Sequence, residues 1–407
     1  MPNYKVEIGF DQLTELGNLF LLDDVVKGRL DNTTYTLGGG GFWVDVSERL
    51  RSITTNRGKS RQLDRFTAGQ ATIVFNNQDR AFDPTYTLSP FYGEIVPRRN
   101  IRISVDGLFI YYGIIEDWNL LYNATGESIA EASASDAFTV LAKQNLDDET
   151  FPLEFSGQRI ERVLSNLGVA WSLDNRNIDE GFTLVSGETV DASNNALEYL
   201  QQVTDSEPGN LFIDALGRVT FKDRNSFVDV VDLMFADDGS GIGYNNLVVT
   251  YGSELLYNQI TSTSTNIILS SVVTADDSIT KYGLLPLQVD NLLIETQYDL
   301  DNYGGYLLRQ FREPEFRFES MDINIKKLTP DKYDMVLNLE IGNVVQVKFT
   351  PNGISPAIQD YVLITSLAHD ITVDNHSLRI GFATIPNFDL VLDSPIFGIL
   401  DNNTLAW

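Results

Sequence analysis

The chain is 407 residues long, with 57 acidic against 29 basic side chains and a formal net charge of −28 at pH 7. That length suits roughly two to three domains, and the acidity argues against a general binder of nucleic acid or anionic membrane, whose surfaces would repel it. The absence of cysteine removes disulfides, thiolate catalysis and cysteine-ligated zinc or iron–sulfur sites together.

Residues 1–42 open with a strand pattern at Tyr4–Phe10 and lack the basic and apolar regions of an export signal. Nowhere does the chain hold the roughly 20 consecutive apolar residues that cross a bilayer. The glycine run Gly38–Gly41 reads as a hinge, because a phosphate-binding loop needs Lys and Ser/Thr after its last glycine and Phe42-Trp43 follow instead. Trp43–Val46 and Ile53 begin a sheet. Around them lie Arg49, Arg51, Arg57, Lys59, Arg61 and Arg65, a basic island in an acidic chain. It reads either as a solvated face or as a contact in which these cations meet a neighbouring subunit's carboxylates.

A strand built on Ile73, Val74 and Phe75 comes next, closed off by Asp83-Pro84, since proline lacks the N–H a ladder needs. After breaks at Ser89-Pro90 and Val96-Pro97, Ile101, Ile103 and Val105 alternate with Arg102 and Ser104, which predicts a strand with one buried face. Asp106-Gly107 then predicts a tight hairpin into LFIYYGIIEDW. Glu127–Ser133 reads as a strand, and Ser135-Asp136 as the cap of a short helix AFTVLAK.

Past residue 145 the period changes. Ile160, Val163, Leu164 and Leu167 form a helical stripe with Gly168 as its stop, and Asn195–Val203 is a second helix. A hairpin around Leu216-Gly217 completes a small α+β unit. The acidic run Asp229, Asp232, Asp237, Asp238 lacks the closing glutamate of an EF-hand loop and reads as an ordinary loop. Strands resume at Leu247–Tyr251 and Asn258–Thr265. A helix is expected over Leu292–Arg312, its Gly304-Gly305 tolerated through close packing. Strands follow at Phe316–Ile325, Tyr333–Leu339, Val344–Phe349 and Gln359–Thr365, then Ile371–Val373 and Ser377–Ala383 turning on Asp374-Asn375.

The two ends of the chain carry a repeat. LDDVVKGRLDNTTY and LDSPIFGILDNNTL match at Leu22/Leu392, Asp23/Asp393, Gly28/Gly398, Leu30/Leu400, Asp31/Asp401, Asn32/Asn402 and Thr34/Thr404. Each copy is too small to fold alone. They read as arms that grip equivalent surfaces on a neighbour, or as two turns sharing common turn residues. An exposed Trp407 on a free tail would be unusual, which favours docking.

Chemistry is sparsely represented. With His369 and His376 as its only histidines, the chain offers few donors for a metal site or a catalytic triad. His369 reads as a satisfied residue near a sheet end and His376 as a surface turn residue. Glu116-Asp117 beside Trp118 is the carboxylate pair closest to a glycosidase arrangement, but adjacent strand residues point to opposite faces. Trp43, Trp118 and Trp171 could stack on sugars, although such residues more often fill core. Catalysis, cofactor and metal are not expected.

The order RQLDRFTAGQATIVFNNQDRAFDP, SPFYGEIVPRRNIRI and a hairpin ending YYGIIEDW resembles the minor tail proteins that form the tail-tip (baseplate) hub of tailed bacteriophages. Asp79-Arg80, Phe82-Asp83-Pro84, Pro90-Phe91-Tyr92-Gly93 and Pro97-Arg98-Arg99 carry the match, which continues at ALEYLQQVTDSEPGNLFIDALGRVTFKDR, DDSITKYGLLPLQV and LEIGNVVQVKFTP.

The resemblance implies a mainly β fold with two β-barrel-like domains of tail-hub type flanking a small α+β insert, with extended arms at both termini. The expected division is an N-terminal arm (1–42), a first hub domain (43–145), the insert (146–244), a second hub domain (245–388) and a C-terminal arm (389–407). It further implies a homotrimer in the virion tail tip, made in the host cytoplasm. Its neighbours would be the distal tail protein, the tape-measure protein and a central tip or fibre protein. DNA would be passing cargo without specific binding, with no stable membrane association. A glycan-binding or peptidoglycan-degrading tail protein is the alternative. The expected subunit contacts are Arg49, Arg51, Arg57, Arg61, Arg65, Leu22, Gly28, Leu30, Asp31, Leu392, Gly398, Leu400, Asp401 and Trp407.

Overall fold

The structure, a computed structural model, describes residues 2–10, 42–124, 126–224, 226, 230–265 and 268–385. Alternation and turn chemistry build its first half. β1 (Tyr4–Phe10), β2 (Phe42–Asp45), β3 (Leu50–Gly58), β4 (Thr67–Asn76), β5 (Asn100–Val105), β6 (Leu108–Tyr122) and β7 (Ser128–Ser135) form one antiparallel array. β5 buries Ile101, Ile103 and Val105 as its alternation requires. Asp106 and Gly107 take φ +51° and +88°, the left-handed pair of a tight two-residue hairpin, and Val105 pairs with Leu108. β7 buries three alanines, Ala130, Ala132 and Ala134. Phe75 of β4 stacks at 4.6 Å on Phe82, which lies between β4 and β5, and Phe82 stacks at 5.5 Å on Trp118 of β6.

Between β4 and β5 the Pro-rich segment folds as a ribbon of turns. The carbonyls of Asn77, Arg80, Asp83, Tyr86 and Ser89 each accept from the N–H three residues on. Ala81, Phe82, Phe91 and Ile95 plug the core from this ribbon. Asp83 fastens it: its carboxylate accepts from Thr85, Arg80 and Tyr122, which holds it well below the usual carboxylate range.

The second half repeats the plan. β8 (Val230–Ala236), β9 (Asn246–Tyr251), β10 (Phe316–Asn324), β11 (Val344–Phe349), β12 (Ile358–Thr372) and β13 (His376–Thr384) complete a main sheet of thirteen described strands. Its order is β9-β10-β13-β12-β3-β4-β7-β6-β5-β1-β2, with β11 also on β12 and β8 on β11. The run β3-β4-β7-β6-β5 in the first unit is thus matched by β9-β10-β13-β12-β11 in the second. Both long strands, β6 and β12, have 15 residues, and each carries a mid-strand register shift against its partner, between Ile115 and Asp117 and between Ile364 and Ser366, within one residue of the same position.

The two units are joined within one sheet. β12 pairs through its first half with β11, and through its second half with β3, from Ser366↔Gly58 to Thr372↔Ser52. The joint is tight at Gly58, which has φ +120° and where a Cβ would lie 2.2 Å from the Thr365 carbonyl oxygen. The core of both units and of the insert is one continuous cluster. The mainly β class with an α+β insert is therefore observed.

After α1 (Phe138–Leu141), α2 (Ser156–Ser165) and α3 (Ala196–Ser206) of the insert pack Ile160, Val163, Leu164, Leu200 and Val203 inward. Arg159 is fully buried between them, donating to Glu154, Tyr199 and the carbonyls of Pro152 and Ser186. Leu167 departs from the expected stripe: the helix stops at Ser165 and Leu167 is 84% exposed.

A further unit, not foreseen, interrupts the second half between β9 and β10. A three-stranded sheet (Ser270–Thr274, Gln259–Ser264, Pro286–Leu292) and the helices Asp276–Tyr282 and Gln297–Phe311 enclose their own core of Ile260, Leu300, Leu307 and Phe311. Its long helix starts after Thr296, whose hydroxyl accepts from the Asp299 N–H, so Leu292 belongs to the preceding strand. Residues Pro330–Leu337 form a helix, where a strand over Tyr333–Leu339 was expected. Pro330 opens its first turn, and the buried residues Tyr333, Val336 and Leu337 follow helical spacing.

Candidate assembly surfaces

Most of the basic island is paired inside the chain. Arg57, 4% exposed, sits at the joint between the units and donates to Glu340 at 2.8 Å and to the Ile213 carbonyl at 3.3 Å. Lys59 donates to Asn210 at 3.2 Å and lies 4.8 Å over the Phe66 ring; burial pushes its ammonium down to about 8. Arg65 meets Asp205 and Gln201 of α3. Arg49 meets Asp79 at 2.5 Å and Arg61 meets Glu254 at 3.4 Å. Arg51 is half-buried and has no ion-pair partner among the described residues. These contacts tie the first unit to the insert and to the second unit.

A cavity of about 330 Å³ lies at that three-way junction, lined by Lys59, Phe66, Asp205, Tyr303, Phe311 and Thr384. The other expected contact residues, Leu22, Gly28, Leu30, Asp31, Leu392, Gly398, Leu400, Asp401 and Trp407, lie outside the described residues.

His369 is a satisfied residue near a sheet end, as expected, whereas His376 departs from expectation. His376 is fully buried, not a surface turn residue; it opens β13, and its Nε2 stands 2.9 Å from His369 Nδ1 and its Nδ1 3.3 Å from the Tyr4 hydroxyl. Burial pushes His376 down to about 4, with nearby Lys326 adding to the shift. Burial, then His376 and Arg57, hold His369 well below its ordinary value. The cluster links β1 to the β12–β13 hairpin across the units.

Of the residues weighed for chemistry, Trp118 lies in the ring stack, and Trp43 packs edge-on to Tyr112 with the Arg102 guanidinium 4.2 Å over it. Trp171 donates to the Asn175 carbonyl. Glu116 accepts from Arg98, Ser135 and Thr139, while Asp117 beyond the bulge is exposed. Asp237 accepts from the Thr350 N–H and Asp238 from Lys348, which anchors the acidic loop on β11. Among the described residues, no group of three or more His, Asp or Glu is placed to hold a metal ion.

What the structure does leave open is strand edge. β9 ends the main sheet, carries no charged residue, and exposes Val248 (51%) and Tyr251 (67%). Natural edges are ordinarily blunted by charge or proline. Beyond Ile115, β6 is paired with β7 alone among the described residues, and its end exposes Leu121 and Tyr122. Sequence reasoning missed both features. The available signal was Leu120-Leu121-Tyr122, an apolar run that breaks the alternation of its strand.

Comparison with known proteins places this fold. No protein-family model and no curated protein sequence matches the chain. Among solved structures, it is similar to the tail protein from Neisseria meningitidis MC58 (TM-score 0.61, 10% identity, covering 93% of this chain and 96% of that one). It is also similar to the 43 kDa tail protein of prophage MuSo2 from Shewanella oneidensis (TM-score 0.59, 12% identity, covering 94% and 98%). The chain has the fold of these phage tail proteins along nearly its whole length.

Proposed function

We propose that the chain is a structural subunit of a phage tail tip, a hub whose three copies form a ring that joins the tail tube to the tip around the DNA passage. The observation that carries this reading is the repeated β-unit. One chain holds two units of the same strand order, so three chains would present six similar positions, which suits a six-fold tube on one side and a three-fold tip on the other. The shared fold with phage tail proteins supports it. So does the engagement of Glu116, Trp43, Trp118 and Trp171 in packing and internal hydrogen bonds.

In this reading the chain divides into two hub domains (43–145 and 245–388), an insert (146–244) and terminal arms (1–42 and 389–407), with β1 and β8 pairing into the main sheet from outside the two hub ranges. The arms grip equivalent surfaces of neighbours. The distal tail protein, the tape-measure protein and a central tip or fibre protein are its partners. The excess of 57 acidic over 29 basic residues favours a passage wall that repels phosphate and lets DNA slide.

Mass photometry and electron microscopy of the purified chain test the reading. Trimers with six lobes around an opening are expected, without clearing of bacterial cell walls. A monomer that clears them overturns it.

A further inference from the structure

Repetition of the β-unit assigns a partner to each open edge. Asp117 and Ser366 follow the shared bulge of β6 and β12. They pair with Ser133 and Gly381, these with Thr72 and Ser320, and these in turn with Thr54 and Val248. Val248 on β9 therefore stands where Thr54 stands on β3, Leu121 on β6 where Asp370 stands on β12, and Gly252 where Gly58 stands.

Inside the chain the equivalent edges meet: Thr54 pairs with Asp370, Ile53 with Ile371 and Gly58 with Ser366. The copies of those edges on β9 and β6 expose Val248 and Tyr251, and Leu121 and Tyr122. Their glycine also fits. Gly58 is required because a Cβ would strike the Thr365 carbonyl oxygen, whereas a Cβ on Gly252 would meet nothing within 4 Å. Nothing in the described chain demands the second glycine; a strand laid against it would.

We infer that β9 of one copy pairs antiparallel with the second half of β6 of another copy, reproducing between chains the joint that β3 and β12 make within one. The register follows: Val248 opposite Leu121, Leu247 opposite Tyr122, and Gly252 opposite Asp117 of the second copy. Val248, Leu121 and Tyr122 are 51%, 58% and 51% exposed, and facing each other they form cross-strand apolar pairs. The contact is heterologous, different surfaces on the two copies, so it repeats head to tail and closes if its rotation allows. This deepens the hub reading and rests on it for the number of copies.

A cysteine-free chain makes the test clean. The full-length double variant Val248→Cys/Leu121→Cys, oxidised mildly, is expected to give covalent dimers and trimers on non-reducing gels. Either single variant, and the register-shifted pair Val248→Cys/Leu120→Cys, should stay uncrosslinked. Separately, Val248→Lys is expected to lower the trimer fraction at least tenfold at fixed concentration, with an unchanged circular dichroism spectrum. If the unmodified chain is a trimer that neither crosslinks through this pair nor responds to Val248→Lys, the joint is overturned and the hub reading stands. If crosslinking continues past three copies into long ladders, the joint stands and the closed trimer is overturned. A monomer that never crosslinks overturns both.

Discussion

The first and second β-units share a strand order but differ in what connects the strands. Where the first unit joins β4 to β5 by a ribbon of turns fastened on Asp83, the second joins β10 to β11 through the helix Pro330–Leu337. The short loop between β3 and β4 becomes, between β9 and β10, a separate sheet-and-helix unit with its own core. The sheet is thus the constant part, set by register and buried alternation, and the connections are free to vary because they lie where strands end. Their plugs must still fill the same space: Phe82 in one unit, Tyr333, Val336 and Leu337 in the other.

The sharpest way to break this comparison is to empty the two plugs. Phe82→Ala removes a fully buried ring in contact with Phe75 and Trp118 and is expected to cost about 3–5 kcal/mol in denaturant unfolding. Leu337→Ala, on the helix that replaces the ribbon, should cost about 2–5 kcal/mol. A near-neutral result for either would show that its connection merely covers the sheet.

Next in size are the ion pairs across the units. Arg57→Ala leaves Glu340 without its buried cation at the joint and is expected to cost about 3 kcal/mol. Arg61→Ala, in a pair exposed on both sides, should cost no more than about 0.5 kcal/mol. Equal effects would mean that the joint does not depend on its buried charge.

Acidification probes the same seam. His376 is held at about 4 against an ordinary value near 6.5. The unfolded chain therefore takes up the proton first, and this contribution to stability is lost as pH falls from about 6.5 toward 4. Asp136, which burial raises to about 7, works oppositely: its contribution is present at low pH and lost as pH rises toward 7. The urea midpoint of His376→Gln should consequently fall less between pH 7 and 4.5 than that of the parent chain. Parallel curves would remove His376 from the account.

A small gain in stability is expected at one of two neighbouring glycines. A Cβ on Gly305 meets open space, so Gly305→Ala should raise stability by about 0.5–1 kcal/mol. Gly304→Ala would bring its Cβ 3.0 Å from Val273 and should gain less, measured by thermal unfolding.

The first unit was the more legible in sequence. Asp106-Gly107 fixed a hairpin, and the alternation of Ile101, Ile103 and Val105 fixed its buried face. Tyr333–Leu339 misled because its apolar residues fit both alternation and helical spacing, and Pro330 decided for the helix. His376 sits beside the turn residues Asp374 and Asn375, yet it begins a strand and faces Tyr4, a residue 372 positions earlier in the chain. Pairing of β3 with β12 was out of reach for the same reason. Local pattern specifies strands, whereas partners from opposite ends of the sequence are selected by packing. The contact surfaces suffered most: of the basic island, the structure spends Arg57, Lys59 and Arg65 internally, and the open edges carry ordinary apolar residues.

Because β12 serves both units, its second half is held by seven successive residue pairs to β3, Ser366↔Gly58 through Thr372↔Ser52. A pull directed along those strands must shear the whole row of backbone hydrogen bonds at once, while a sideways pull peels them one after another. Force travelling along that axis would meet the stiffest direction of the molecule, so the two halves would move as a single rigid girder and any yielding would begin in the loops around it.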